Sequence, residues 1–153
     1  MNVESLERIV SDHPLFHGLG EDFLAAVTGC AKNVRFTTGT YLFHEGETAD
    51  RLFLIREGLV ALEIAAPGPG RVTFQTVGRR GVVGMSWLVP PYRWTFDARA
   101  AEDSRVLAFD AGCLRGKCDS DPALGYEVMK RFMPPLIERL HATRLQMLDV
   151  YRA

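Results

Sequence analysis

Three shortages frame the first reading of this sequence: little net charge, few cysteines and no long apolar run. Eighteen lysines and arginines stand against nineteen acidic residues, a formal net charge of -1. No global basic field draws the chain onto nucleic acid or an anionic membrane. The three cysteines, Cys30, Cys113 and Cys118, are an odd number with no CxxC and no Cys/His spacing. They indicate neither a zinc site nor a disulfide framework. Cys113 and Cys118 lie five residues apart, a spacing that does not share a helical face, and read as small half-buried thiols. No window approaches the roughly 18 apolar residues of a membrane-spanning helix. The opening Met-Asn-Val-Glu-Ser-Leu-Glu-Arg lacks the apolar stretch of a secretory leader. Internal repeats and low-complexity segments are absent too. The expectation is a cytoplasmic protein with no membrane contact.

What is present suits one globular domain. The chain has 153 residues, 47% of them apolar and 24% charged, an ordinary soluble composition long enough to bury a core unaided. Val3, Leu6 and Val10 recur at helical spacing until Asp12-His13-Pro14, where proline disfavours a preceding helical residue. A second helix starts at Glu21-Asp22, acidic where the helix dipole favours it, and runs through Phe23, Leu24 and Val27 to Gly29. From Lys32 to Asp110, short runs rich in Val, Phe, Tyr, Thr and Ile alternate with glycines, which predicts an antiparallel barrel or sandwich. Arg51–Ile55 and Leu59–Ile64 flank a tight Glu57-Gly58 connection, and Pro67-Gly68-Pro69-Gly70 joins strand Leu59–Ala65 to strand Arg71–Val77. After Asp110 the helical pattern returns. Asp119 or Ser120 is placed to cap, Pro122 occupies the first turn, and Leu124, Val128 and Phe132 follow. Pro134-Pro135 predicts a kink or a break near Arg131. The stripe resumes with Leu136, Ile137, Leu140, Leu145 and Leu148.

The fold class is α+β: an antiparallel, jelly-roll-like β-roll of about eight strands, N-terminal helices and a long C-terminal helix. Residues 1–153 form one domain, with N-terminal helices over 1–30, the roll over 31–110 and C-terminal helices over 111–153.

Two segments carry a resemblance. In Thr38–Val60, Gly39, Leu42-Phe43, Gly46, Leu52–Ile55 and Gly58 alternate corner glycines with apolar pairs that fill a roll. Gly84–Ala100 reads Gly-Met-Ser-Trp-Leu-Val-Pro-Pro-Tyr-Arg-Trp-Thr-Phe-Asp-Ala-Arg-Ala. Together they resemble the cyclic-nucleotide-binding domain of catabolite-activator type, the second segment being its phosphate cassette over 84–100. The resemblance implies a short helix whose amides receive a cyclic phosphate. It also implies a glutamate after the first glycine for the ribose and an arginine about ten residues after it for the phosphate. Met85 and Trp94 stand at those two positions. The candidate pocket is therefore Gly84, Met85, Ser86, Trp87, Arg93, Trp94 and Thr95, with Thr143 on the last helix at the place of a base-contacting threonine. On a strand, Trp94, Phe96, Ala98 and Ala100 share one face and Thr95, Asp97 and Arg99 the other, so Arg93 points away where Trp94 points in, unless a local bulge after Pro90-Pro91 reverses it. Met85 and Trp87 are expected beside Trp94, lining the former pocket with apolar groups. Such a pocket is filled by its own side chains, accepts an altered small ligand, or holds a cyclic nucleotide through backbone amides alone. No cofactor is certain.

The resemblance further implies a homodimer through the C-terminal helix. A catabolite-activator regulator continues into a helix-turn-helix, whereas this sequence offers no recognition helix or basic stripe. The expectation is a regulatory module that acts on an unknown protein partner without touching DNA, or a ligand-independent accessory subunit. Against an enzyme, His13, His17, His44 and His141 are scattered and no nucleophile or carboxylate pair shows catalytic spacing. A haem sensor would need Met85, His44 or a cysteine on iron, and nothing in their spacing requires it. Arg71, Arg79, Arg80, Arg93 and Arg99 cluster in the β-rich middle, as a solvated face or as a site for a small anion.

Overall fold

Apolar alternation with period two, on strands covered from both sides, organises the described residues, 3–68 and 70–152 of a computed structural model. Helices α1 (Val3–Asp12) and α2 (Glu21–Thr28) come first. Strands β1 (Ala31–Phe36), β2 (Tyr41–Phe43), β3 (Arg51–Glu57), β4 (Val60–Ala65), β5 (Arg71–Val77) and β6 (Val82–Val83) follow. A single 3-10 turn (Met85–Trp87), β7 (Asp97–Ala100), β8 (Ser104–Asp110), α3 (Ala111–Ser120) and α4 (Pro122–Arg152) complete the order. Among the described residues the eight strands form two antiparallel sheets, β1-β8-β3-β6 and β2-β7-β4-β5. This is the α+β roll that the residue pattern predicts.

The unbroken apolar run in β3 follows from where its sheet lies. Phe53 and Ile55 face the interior of the roll with Phe36, Phe43, Leu62 and Trp94. Leu52 and Leu54 face the helices, with Val10, Phe16, Leu114 and Phe132. A strand buried on both faces has no polar positions to alternate with. At Gly58, φ is 101° and a β-carbon would stand 2.3 Å from Ser104 Oγ, so the β3–β4 corner accepts only glycine.

The cysteines depart from expectation. Cys30 and Cys113 form a disulfide across 83 residues of sequence, with their Cα atoms 5.7 Å apart. The cause is topological. β1 and β8 are antiparallel neighbours with Ala31 opposite Phe109, so the residue before β1 meets the first turn of α3. Spacing along the chain carries no trace of that pairing. Cys118 stays free and half-buried; burial pushes its thiol pKa up, and Asp119 and Asp121 add to the effect.

The helical tail holds one further correction, at the cap, and excludes the break, one of the two outcomes expected at the prolines. Asp119 and Ser120 lie inside α3, and the residue that turns to cap α4 is Asp121, whose Oδ1 accepts from the Ala123 and Leu124 amides at 3.2 and 3.4 Å. Pro134 and Pro135 sit inside α4 without ending it. The first turns are anchored by buried Leu124, Val128 and Phe132, and Arg131 Nη1 donates to the Leu15 and His17 carbonyls at 3.2 and 2.7 Å. That packing carries the helix across the ladder bonds that the prolines remove.

Candidate ligand cassette

β6 delivers the chain to Gly84, which has φ 98° and turns it into the 3-10 turn Met85–Trp87. The return limb is clipped to the loop after β2. The Gly46 amide donates to the Trp94 carbonyl at 2.8 Å, the Trp94 amide to the Glu47 carbonyl at 3.0 Å, and the Ala49 amide to the Tyr92 carbonyl at 2.7 Å. These bonds set the direction of the limb's side chains. Arg93 lies exposed, its Nη1 donating to the Gly46 carbonyl at 3.0 Å. Trp94 turns inward and is 2% exposed, as strand alternation predicts.

Inside, Trp94 stacks on Phe43 with ring centroids 3.8 Å apart and 12° between planes, a pairing that adds about 0.5–1.5 kcal/mol to burial. Its indole also leans over the cassette glycine. A β-carbon on Gly84 would meet Trp94 Cη2 at 2.6 Å. The ring thus stands against the backbone at the point where β6 ends.

The other apolar members do not join it. Met85 and Trp87 pack with the helices and Trp94 with the roll interior, so the cassette straddles two cores. Trp87 lies 5.7 Å from Phe132 of α4, its carbonyl accepts from Arg115 Nη1, and the Arg115 guanidinium lies 4.3 Å over the Tyr92 ring. The expected common lining of Met85, Trp87 and Trp94 is replaced by Trp94 with Phe43, Phe53 and Phe96. Ser86 is half-buried and Thr95 exposed. Thr143 is exposed on α4, its hydroxyl donating to the Arg139 carbonyl at 2.9 Å. Phe43 and Arg115 are the cassette's further partners; in the sequence Phe43 shows only as half of an apolar pair, and Arg115 carries no signal.

The sequence model for the cyclic nucleotide-binding domain matches residues 33–121, a span that includes the whole of 84–100. The chain belongs to the cyclic nucleotide-binding domain family. A relative, the CRP-like cAMP-activated global transcriptional regulator of Mycobacterium tuberculosis, is 27% identical over 146 residues, covering 95% of this chain and 63% of the relative. This domain therefore spans under two thirds of that protein's length. The N-terminal domain of a transcriptional regulator from Streptomyces coelicolor superposes with a TM-score of 0.67 at 26% identity, covering 91% of this chain and 94% of that one. The catabolite activator protein of Thermus thermophilus shares the fold, with a TM-score of 0.70 at 24% identity over 91% of this chain and 63% of its own. None of the described helices is long and apolar enough to cross a membrane.

The arginine cluster separates into paired and unpaired members. Arg71 pairs with buried Asp97 and Arg99 with buried Glu63, while Arg93 is held by Gly46. Among the described residues Arg79 and Arg80 have no acidic partner.

Proposed function

We propose that this domain is a non-enzymatic regulatory module whose phosphate cassette is closed by its own Trp94, and that it passes its signal on through protein contacts made by α4 without itself touching DNA. The observation that carries this reading is the buried indole against Gly84. In this family the anion would approach the backbone that follows that glycine, and here an aromatic ring leans over it. The two side chains that would hold ribose and phosphate are replaced by Met85 and Trp94. Charge-assisted hydrogen bonds contribute about 1.5–3 kcal/mol each, so their joint loss weakens a nucleotide by roughly two to four powers of ten.

One observation favours a second reading, in which a cyclic nucleotide binds through amides and hydroxyls. The Ser86 and Thr95 hydroxyls make no hydrogen bond among the described residues, and the mycobacterial relative is cAMP-activated by name. Titration with cyclic AMP and cyclic GMP, followed by calorimetry and tryptophan emission, separates the two. The closed cassette predicts no binding up to about 1 mM; a Kd below about 10 μM overturns it. Met85→Glu with Trp94→Arg, checked for folding by circular dichroism, is expected to bind cyclic nucleotide. A folded double variant that stays silent would contradict the placement of these two positions.

A further inference from the structure

The turn between β5 and β6 holds the two arginines that the ion pairs leave over. It is tightly built: the Gly81 amide donates to the Gly78 carbonyl at 3.0 Å, the Arg80 amide to the Ile55 carbonyl at 2.9 Å, and the Ile55 amide to the Gly81 carbonyl at 3.0 Å. Arg80 is forced to φ 71°, a conformation that side-chain-bearing residues rarely adopt and that gathers at functional sites. Three adjoining cavities of about 410, 420 and 530 Å³ meet at this residue, between the turn, the α1–α2 connection and α4. Arg79 lines the first and the third, and Arg139 of α4 lines the first.

Arg139 is half-buried, its Nη2 donates to the Val82 carbonyl, and it too has no carboxylate partner among the described residues. Glu138 is the single acidic residue in the lining of the cavity that all three arginines share. His13 supplies an independent sign. It lines the second and third cavities and is 8% exposed. Its Nδ1 accepts from the Leu15 amide at 3.1 Å, which puts the proton of the neutral ring on Nε2. That N–H is buried beside the backbone of Gly81 and Arg80 but completes no hydrogen bond, so an acceptor brought to this junction would satisfy it.

We propose that this junction is a binding site for a small phosphate-bearing anion, with Arg79, Arg80 and Arg139 as the guanidinium clamp and His13 Nε2–H as a neutral donor. Several forked donors and one incompletely bonded N–H match the many acceptor oxygens of a phosphate better than a single carboxylate. The residues are separate from Gly84 and Trp94, so this site and the closed cassette stand or fall independently.

The test is calorimetry and thermal melting with inorganic phosphate, pyrophosphate and AMP, against sodium chloride of matched ionic strength. Wild-type protein is expected to bind at least one probe with a Kd below about 1 mM and to melt at higher temperature with it. Tighter binding of AMP than of the inorganic probes assigns the site to a phosphate ester, and the reverse order to the free anion. Arg80→Gly is the decisive variant, because glycine accepts the left-handed backbone and the variant keeps its fold. It is expected to lose at least tenfold in affinity, and Arg79→Gln several-fold, while Arg144→Gln, an exposed arginine outside the three cavities, loses nothing. Absence of binding beyond the chloride control overturns the proposal. So does unchanged affinity in Arg80→Gly, or an equal loss in Arg144→Gln.

Discussion

His13 sits in the wall between the first helix and the roll as a neutral ring. Its pKa is lowered from 6.5 to about 4: burial is the largest cause and the Arg80 charge acts with it, while backbone groups of Gly81 and Arg80 oppose the shift. The unfolded chain takes up this proton near pH 6.5 and the folded chain only near pH 4, so between those values the unfolded state binds more protons. Stability therefore falls as pH drops through that window, by up to about 3 kcal/mol. Asp12, His17, Arg56, Glu57, Arg79 and Arg80 share one of its cavities, and Lys130, Arg131 and Glu138 line the other. His13→Asn keeps an acceptor for the Leu15 amide and cannot titrate. Urea midpoints at pH 7.0 and 5.0 are expected to fall less in the variant than in the wild type; equal falls would refute the assignment. At this scale the in-and-out alternation of an extended limb is legible, so that Trp94 in and Arg93 out can be read from residue order. The stacking of Trp94 on Phe43 cannot, because it joins residues 51 apart in the chain.

Among the elements, α2 and α3 are fastened twice: by the Cys30–Cys113 bond and by Lys117 Nζ, which donates to the Ala26 carbonyl at 2.6 Å. A loop of 83 residues gives a chain-entropy stabilisation of about 4.5 kcal/mol, against measured values of typically about 2–4. Reduction with a dithiol, or Cys30→Ala, is expected to lower the melting temperature by several degrees. Equal melting curves with and without reductant would show that the pair does not cross-link the folded protein. Such bonds persist in oxidising compartments and are transient in reducing ones. Helix and strand positions were readable because each rests on a local period. The disulfide and the passage of α4 through two prolines were not, since each is decided by what packs from elsewhere in the chain.

For the whole molecule, the most prominent feature is a helix that outgrows its own core. After Phe132, α4 exposes Leu136, Leu140, Leu145 and Leu148 at 46–51% of their surface. We expect this stripe to meet its copy in a second chain, as two amphipathic helices that bury their apolar faces together. Light scattering on the purified protein should give twice the chain mass, falling to once in Leu140→Glu with Leu148→Glu. A monomeric wild type would refute the pairing of α4 with its copy.

The hem formed by β1 and β8 has one more effect. Because Cys30 and Cys113 stand just outside that hem, every strand that begins and ends within 31–110 lies inside a covalent ring. A single peptide-bond cut in the exposed Pro67-Gly68 corner leaves one molecule, two polypeptides joined by sulfur. Each sheet draws strands from both sides of the cut, so the ring can be opened at its rim while the halves remain at each other's disposal. In that form the domain becomes a two-piece protein whose reassembly is intramolecular for as long as the sulfurs stay bonded.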